Sequence, residues 1–234
     1  MTRRYYVVTV HPQMIQGACS YGTFKRAQNL GLVTIQGVDL RDFAVDRHGS
    51  VDARPYGGGE GMVLRPEPLA AAVAKIREES PKARVVLLTP AGQHWNQNHC
   101  ETHHRRDDDL IFICGRFAGI DQRFIDLYVD EEYSIGDVIV AGGELPALIM
   151  IESLIRLLPG ALGHEESALL ESFSPAFDHG LEHPLYTRPP VFKGKEVPGV
   201  LLSGDHEKIA QWRQKTSRER TCTRRPGLAT QKNP

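Results

Sequence analysis

Short runs of β-branched and other apolar residues, most of them followed by a segment of helical composition, constrain the fold of this chain more than any other feature. The runs occupy residues 5–10, 32–38, 84–89, 110–114 and 138–140. Near-continuous apolar strands that alternate with helices belong in a parallel sheet covered on both faces, so the pattern predicts an α/β domain with a mostly parallel sheet. Between the runs, residues 66–79 predict a helix with Leu69, Val73 and Ile76 on one face. Residues 144–158 predict another, with Leu148, Ile151, Leu154, Ile155 and Leu158 at helical spacing before Pro159-Gly160 stops it. After Gly160 the texture changes. Residues 163–183 mix Ser, Glu, His and Gly without periodicity, and residues 184–198 are rich in proline. Residues 205–217 then predict a helix capped by Ser203 or Asp205, with Ile209 and Trp212 on one face. The expected organisation is an α/β domain over residues 1–160, a linker over 161–185 and a small, mainly helical domain over 186–234, frayed from Ala229.

Composition narrows the class of protein. The 234 residues carry 28 Lys and Arg against 29 Asp and Glu, with 41% hydrophobic and 24% charged residues. That balance excludes a disordered, collagenous or coiled-coil chain and a protein that coats nucleic acid through overall positive charge. Cys19, Cys100, Cys114 and Cys222 are far apart and form no CxxC pair, which points to a reducing cytoplasm and not to a disulfide framework. The apolar run at residues 5–10 is too short for a membrane span or a signal-peptide core, so no membrane partner is expected.

Three glycine clusters are the candidate sites of chemistry. The first is PYGGGEGM at residues 55–62, where glycines permit close approach to a phosphate, a nucleobase or a carboxylate, or simply make a surface turn. No Gly-Lys-Ser/Thr follows and Glu60 opposes an anion, so this is not a nucleotide P-loop. The second is Cys114-Gly115-Arg116-Phe117-Ala118-Gly119-Ile120-Asp121, directly after an apolar run, and the third spans residues 134–144. Together with Thr89-Pro90-Ala91-Gly92, read as the loop after another strand, these loops can form one pocket at the carboxyl edge of the sheet. His99 and His103 are spaced to share a metal on a helix, yet the adjoining Arg105-Arg106 and Asp107–Asp109 mark a solvated helix end, and no metal is assigned there. The C-terminal part is basic, with Arg188, Lys193, Lys195, Arg213, Lys215, Arg218, Arg220, Arg224 and Arg225 around Tyr186 and Trp212. Such a surface either meets phosphates or is a solvated helix face.

Taken in order, these segments resemble the bacterial tRNA (guanine-N1)-methyltransferases, the TrmD family of the SPOUT class. The resemblance rests on RPYGGG at residues 54–59, on Cys114-Gly115-Arg116 with Gly119-Ile120-Asp121, and on DEEYSIG at 130–136 and GGELP at 142–146. It continues through PGALGHE at 159–165, Tyr186-Thr187-Arg188-Pro189 and VLLSG at 200–204, and so covers nearly the whole chain. It implies a C-terminal trefoil knot in the α/β domain and a homodimer whose active sites are shared between subunits. It also implies S-adenosyl-L-methionine as methyl donor, and methylation of the tRNA guanosine that is 3′-adjacent to the anticodon.

Carried over by position, the donor is expected at Thr89, Pro90, Gly115, Ile135, Gly136, Asp137, Val138, Ile139, Val140, Gly142 and Gly143. The substrate is expected at Tyr56, Gly57, Gly58 and Gly59 and at Arg188, Arg213, Arg218 and Arg220. Arg156 matches the arginine that stabilises charge on the guanine O6, and Glu171 occupies the place of the family's aspartate base. Glutamate retains the carboxylate but is longer by one methylene, which changes the proton-transfer geometry. Ala118 stands where many relatives have glutamate, and Phe117 where they have tyrosine. The first departure bears on donor affinity and leaves a role for Mg2+ open. The two departures motivate an alternative, a paralogue that binds RNA without catalysis or methylates a different acceptor.

Overall fold

The computed structural model of the protein describes residues 2–163 and 170–230; His164 and Glu165 of the PGALGHE motif, and the chain from residue 231, lie outside the described residues. Contacts divide the chain into two compact units, Met1–Leu162 and Gly163–Pro234. In the first, β1 (Arg3–Thr9) leads to α1 (Pro12–Cys19), α2 (Gly22–Asn29) and β2 (Val33–Asp39), then to a small ribbon of β3 (Asp52–Ala53) and β4 (Val63–Leu64). There follow α3 (Pro66–Glu79), β5 (Arg84–His94), α4 (Gln97–Arg106), β6 (Leu110–Cys114), α5 (Gln122–Tyr128), β7 (Glu131–Ser134) and α6 (Glu144–Ile155). The main sheet has the order β2-β1-β6-β5-β7, and its pairings are parallel.

The parallel sheet is buried on both faces, which is why its strands read as unbroken apolar runs. Successive side chains of a strand point to opposite faces. Tyr5, Val7, Val86, Leu88, Leu110 and Phe112 accordingly join Ile15 of α1 and Met150, Ile151, Leu154 and Ile155 of α6 in one core. Tyr6, Val8, Val85, Leu87, Ile111 and Ile113 join Leu69, Val73 and Ile76 of α3 and Phe124 of α5 in the other.

Three sequence expectations change in this unit. Residues 138–140 form no strand: Val138, Ile139 and Val140 are 55%, 84% and 42% exposed in a loop. The last strand is instead β7, whose sequence EEYS lacks an apolar run because it lies at the sheet edge. Thr89 to Gly92 do not follow β5 but lie within it, where its pairing with β7 slips register between Leu88 and Gln93. Such an irregularity bends a strand and re-aims its side chains. Helix α6 ends at Ile155 with Arg156 as its C-cap, and residues 157 and 158 continue in tighter turns through Leu157 N to Leu154 O (3.2 Å) and Leu158 N to Ile155 O (2.9 Å).

The second unit contains a hairpin of β8 (Val191–Phe192) and β9 (Lys195–Glu196), then α7 (Gly199–Leu202), α8 (His206–Arg224) and α9 (Pro226–Thr230). Asp205 caps α8 by accepting from Lys208 N at 3.1 Å, and the helix runs seven residues beyond the expected end at Ser217. Its inner face holds the preceding segment: Ser217 Oγ donates to Leu181 O (2.6 Å) and Leu181 N to Thr221 Oγ1 (2.9 Å).

Two glycines test this packing with opposite signs. A Cβ at Gly92 would stand 2.5 Å from Glu132 C in the backbone of β7, whereas one at Gly17, inside α1, meets nothing within 4 Å. Gly92→Ala is expected to lower stability by about 1–3 kcal/mol through overpacking. Gly17→Ala is expected to raise it by about 0.5–1 kcal/mol through helix propensity. Urea midpoints of the two variants read both, and a stabilised Gly92→Ala would contradict the placement of β5 against β7.

Candidate active site

A cavity of about 310 Å³ opens at the register break of β5 and at the carboxyl ends of β6 and β7. Pockets that take small molecules are roughly 300–1,000 Å³ and mostly apolar with a few polar groups. Thr89 and Pro90 of β5, Gly115 after β6, and Ile135, Val138, Ile139, Val140, Gly142 and Gly143 between β7 and α6 all line it. Gly136 and Asp137, expected in the same group, are not among the lining residues; Asp137 points outward, its carboxylate 3.1 Å from His94 Nε2. The exposure of Val138 to Val140 now has a cause, since these apolar side chains face the cavity instead of a core.

The cavity exists because two stretches of chain approach closely. Gly143 N donates to Gly115 O at 3.0 Å, and Arg116 and Gly142 form an isolated antiparallel bridge. A Cβ on Gly143 would lie 2.7 Å from Cys114 Cα, and one on Gly142 would collide with the Arg116 and Glu144 side chains. Burial pushes the Cys114 thiol well above its usual range, and Glu144 adds to the effect. A buried neutral thiol is a weak nucleophile, and Cys114 is packed into the core beside this crossing.

The first glycine cluster is fastened to the same region. Gly57, Gly58 and Gly59 have φ of +84°, +81° and +116°, a backbone path that side-chain-bearing residues rarely take. The loop returns along residues 116–121, with Ala118 N to Met62 O at 2.8 Å, Leu64 N to Gly119 O at 2.9 Å and Asp121 N to Leu64 O at 3.0 Å. Tyr56 is 98% exposed at its tip. Phe117, Ala118, Gly119 and Ile120 line the cavity on their other side, so the glycine loop and the cavity share one wall.

Arg116, Phe117, Ile120, Ile125, Tyr133 and Pro146 also line the cavity; the sequence places the first three in a pocket-forming loop without naming them as donor contacts, and does not assign the other three. Arg116 and Tyr133 lie inside the quoted motifs; Ile125 carries no motif and is found only through the fold. Glu131 anchors the β7 side. It accepts from Arg84 and Arg106 at 2.6 Å each and from Tyr133 OH at 2.6 Å, with His103 Nε2 at 3.0 Å. Burial raises its pKa, but hydrogen bonds from His103 and Tyr133 and the nearby positive charge outweigh that and hold the carboxyl well below its usual range. Burial first, and the Glu131 carboxylate second, push the Tyr133 phenol up. His103 of the candidate metal pair is thus engaged with Glu131, while the His99 ring stacks on Trp95 at 5.9 Å.

Arg156 is half-buried at the end of α6. In the second unit, Glu171 is half-buried in a turn closed by Ser174 N to Glu171 O at 3.1 Å. Arg188 and Arg213 line a cavity of about 730 Å³ with Tyr186, Pro189, Leu201 and Ile209. Arg218 faces Asp178 at 3.4 Å across an exposed pair, which contributes little to stability. Arg220 is half-buried, and among the described residues its Nε has no hydrogen-bond partner.

Comparison with known proteins places these features in context. The family model described as tRNA (Guanine-1)-methyltransferase TrmD matches residues 3–231. A tRNA (guanine-N(1)-)-methyltransferase of Geotalea uraniireducens (strain Rf4) is 45% identical over 227 residues, covering 97% of this chain and 90% of the relative. Proteins of the same name from Desulfatibacillum aliphaticivorans and Anoxybacillus flavithermus (strain DSM 21510 / WK1) are 49% and 47% identical, covering 96% and 95% of this chain and 84% and 89% of their own lengths.

The Glu131 network predicts a pH signature. A carboxyl whose folded pKa is depressed contributes stability that is present above its unfolded pKa and is lost as pH falls toward the folded one. Glu131→Gln is therefore expected to lower Tm most near neutral pH, with the difference from the parent shrinking as pH drops below the ordinary 4.5 of glutamate. A difference that is constant from pH 7 to pH 3 would contradict the depressed pKa.

Proposed function

Because the chain belongs to the tRNA (guanine-1)-methyltransferase family, we propose that it transfers the methyl group of S-adenosyl-L-methionine to N1 of the guanosine 3′-adjacent to the anticodon in tRNA. The observation that carries this reading is the convergence of Thr89-Pro90, Gly115 and the 135–143 loop on one cavity. Its walls suit the donor: apolar side chains and backbone groups can take an uncharged adenosine, and among the described residues no carboxylate lines it. The donor supplies an electrophilic methyl group already activated by the sulfonium. The chain must therefore provide the orientation of the guanine and the removal of its N1 proton.

In this proposal Glu171 takes the N1 proton as the lone pair attacks the methyl carbon, and Arg156 neutralises the negative charge that develops on O6. The methyl carbon gains its bond to N1 as its bond to sulfur breaks, which leaves S-adenosylhomocysteine. Tyr56 and Gly57 to Gly59 are read as part of the guanosine site, supported by the wall they share with the cavity. Arg188, Arg213, Arg218 and Arg220 are read as phosphate contacts. From Leu185 onward the chain has eleven Lys and Arg against four Asp and Glu, which supports that assignment.

The same proposal includes the trefoil knot, a donor domain and a tRNA-binding domain joined by a linker, and a homodimer with shared active sites. Leu145 and Ile149, 53% and 50% exposed one turn apart on α6, whose other apolar residues are buried or half-buried, support a partner on that face. No helix among the described residues is long and apolar enough to cross a membrane, and the cytoplasm, where tRNA is modified, is the proposed location.

The test is product identity. With labelled donor and unmodified tRNA transcripts, 1-methylguanosine is expected only when guanosine, not adenosine, follows the anticodon. Glu171→Gln is expected to reduce turnover by roughly 10²–10⁴-fold while both substrates still bind. Methylation of the adenosine transcript would overturn the acceptor assignment, and a fully active Glu171→Gln would remove Glu171 from proton transfer.

A further inference from the structure

The donor carries a positive sulfonium, yet among the described residues lining the cavity the one side chain of fixed charge is the guanidinium of Arg116. A cation in the wall would oppose a cationic ligand. The structure places its counter-charge out of solvent, immediately behind it. Glu144, at the start of α6, has a side chain 1% exposed, and its two oxygens receive Arg116 Nε and Nη2 at 3.2 Å each. Thr9 Oγ1, 1% exposed at the end of β1, donates to Glu144 Oε1 at 2.5 Å and itself accepts from His11 N at 2.9 Å. Gly142 lies so close that a Cβ there would strike both members of the pair. The carboxylate is thus held by three hydrogen bonds where neither water nor ligand reaches it, and the two-pronged contact fixes the guanidinium plane.

We propose that Glu144 is a positioning and charge-specificity residue: by neutralising Arg116 behind the cavity wall, it lets this cavity accept the methyl donor with its cationic sulfur and not only the product, whose sulfur is neutral. The inference rests on the donor reading above. Removing one partner of a buried pair leaves the other uncompensated. With Glu144 neutral, Arg116 presents a full positive charge to the cavity. S-Adenosyl-L-methionine and S-adenosylhomocysteine share the adenosine and the amino-acid groups and differ in the sulfur charge and one methyl. The ratio of their affinities therefore reports the potential in the cavity and cancels general damage to its shape.

Two unit charges about 10 Å apart at an effective dielectric near 20 interact strongly enough to change an equilibrium by about tenfold. Glu144→Gln preserves size, and its one amide oxygen can still accept from Thr9 and Arg116 Nε, although its amide nitrogen cannot receive Arg116 Nη2. By calorimetry it is expected to lower affinity for S-adenosyl-L-methionine by about tenfold more than affinity for S-adenosylhomocysteine. Glu144→Gln with Arg116→Gln is expected to return the ratio to that of the parent. An unchanged ratio in Glu144→Gln, with both ligands bound, would overturn the proposal and leave the pair a purely structural one. Arg116→Gln alone provides a second test should Glu144→Gln not fold: its ratio is expected not to fall, and a fall would show that packing, not charge, sets the selectivity. Failure of the parent protein to bind either ligand would instead refute the donor reading itself.

Discussion

The close crossing of the stretch after β6 with the stretch before α6 is the constraint on which the rest of the first unit depends. Gly143 N meets Gly115 O, Gly142 bridges Arg116, and neither glycine can carry a Cβ without striking the opposite chain. Once these strands of backbone touch, the residues on either side have nowhere to go but around an opening. Residues 116–120 form one wall and residues 135 and 138–143 the other, with Thr89 and Pro90 where β5 breaks register. A glycine-rich sequence here serves proximity more than flexibility.

That crossing also sets the electrostatics. The buried Arg116–Glu144 pair, tied to Thr9, holds the ends of β1 and β6 and the start of α6 in one hydrogen-bonded cluster. Buried pairs are poor evidence of stability, since desolvation offsets attraction. Their value here is positional: the guanidinium is held flat in the cavity wall with its charge balanced from behind. The Glu131 cluster does comparable work, joining β7 to β5 and α4 through Arg84, Arg106, His103 and Tyr133. Tyr133 and Arg116 link the two clusters to the cavity, whose own surface is mainly apolar.

The central strands were legible because a parallel sheet buried on both faces must be written as apolar runs, and the runs at residues 5–10, 84–89 and 110–114 are its middle. The same logic failed at the site. Val138, Ile139 and Val140 are apolar for a cavity and not for a core, so they imitate a strand. Edge strand β7 is held by charged partners distant in sequence and shows no strand signature of its own. The glycine loops could be placed at the carboxyl edge from their position after strands, but which of them converge is a property of topology. Thr9 and Glu144, 135 residues apart, carry no sequence signal of their pairing. Glu171 and Arg156 were found only through resemblance, since a lone carboxylate and a lone arginine are unremarkable by spacing.

That the three loops form one donor site is tested most directly by amide hydrogen exchange of the purified protein with and without saturating S-adenosyl-L-methionine. The expected result is slowed exchange concentrated at residues 89–93, 115–119 and 135–143, with little change in the glycine loop at 57–61 until tRNA is added. Donor binding that leaves these three segments unprotected, or protects only residues of the second unit, would contradict the assignment of the cavity.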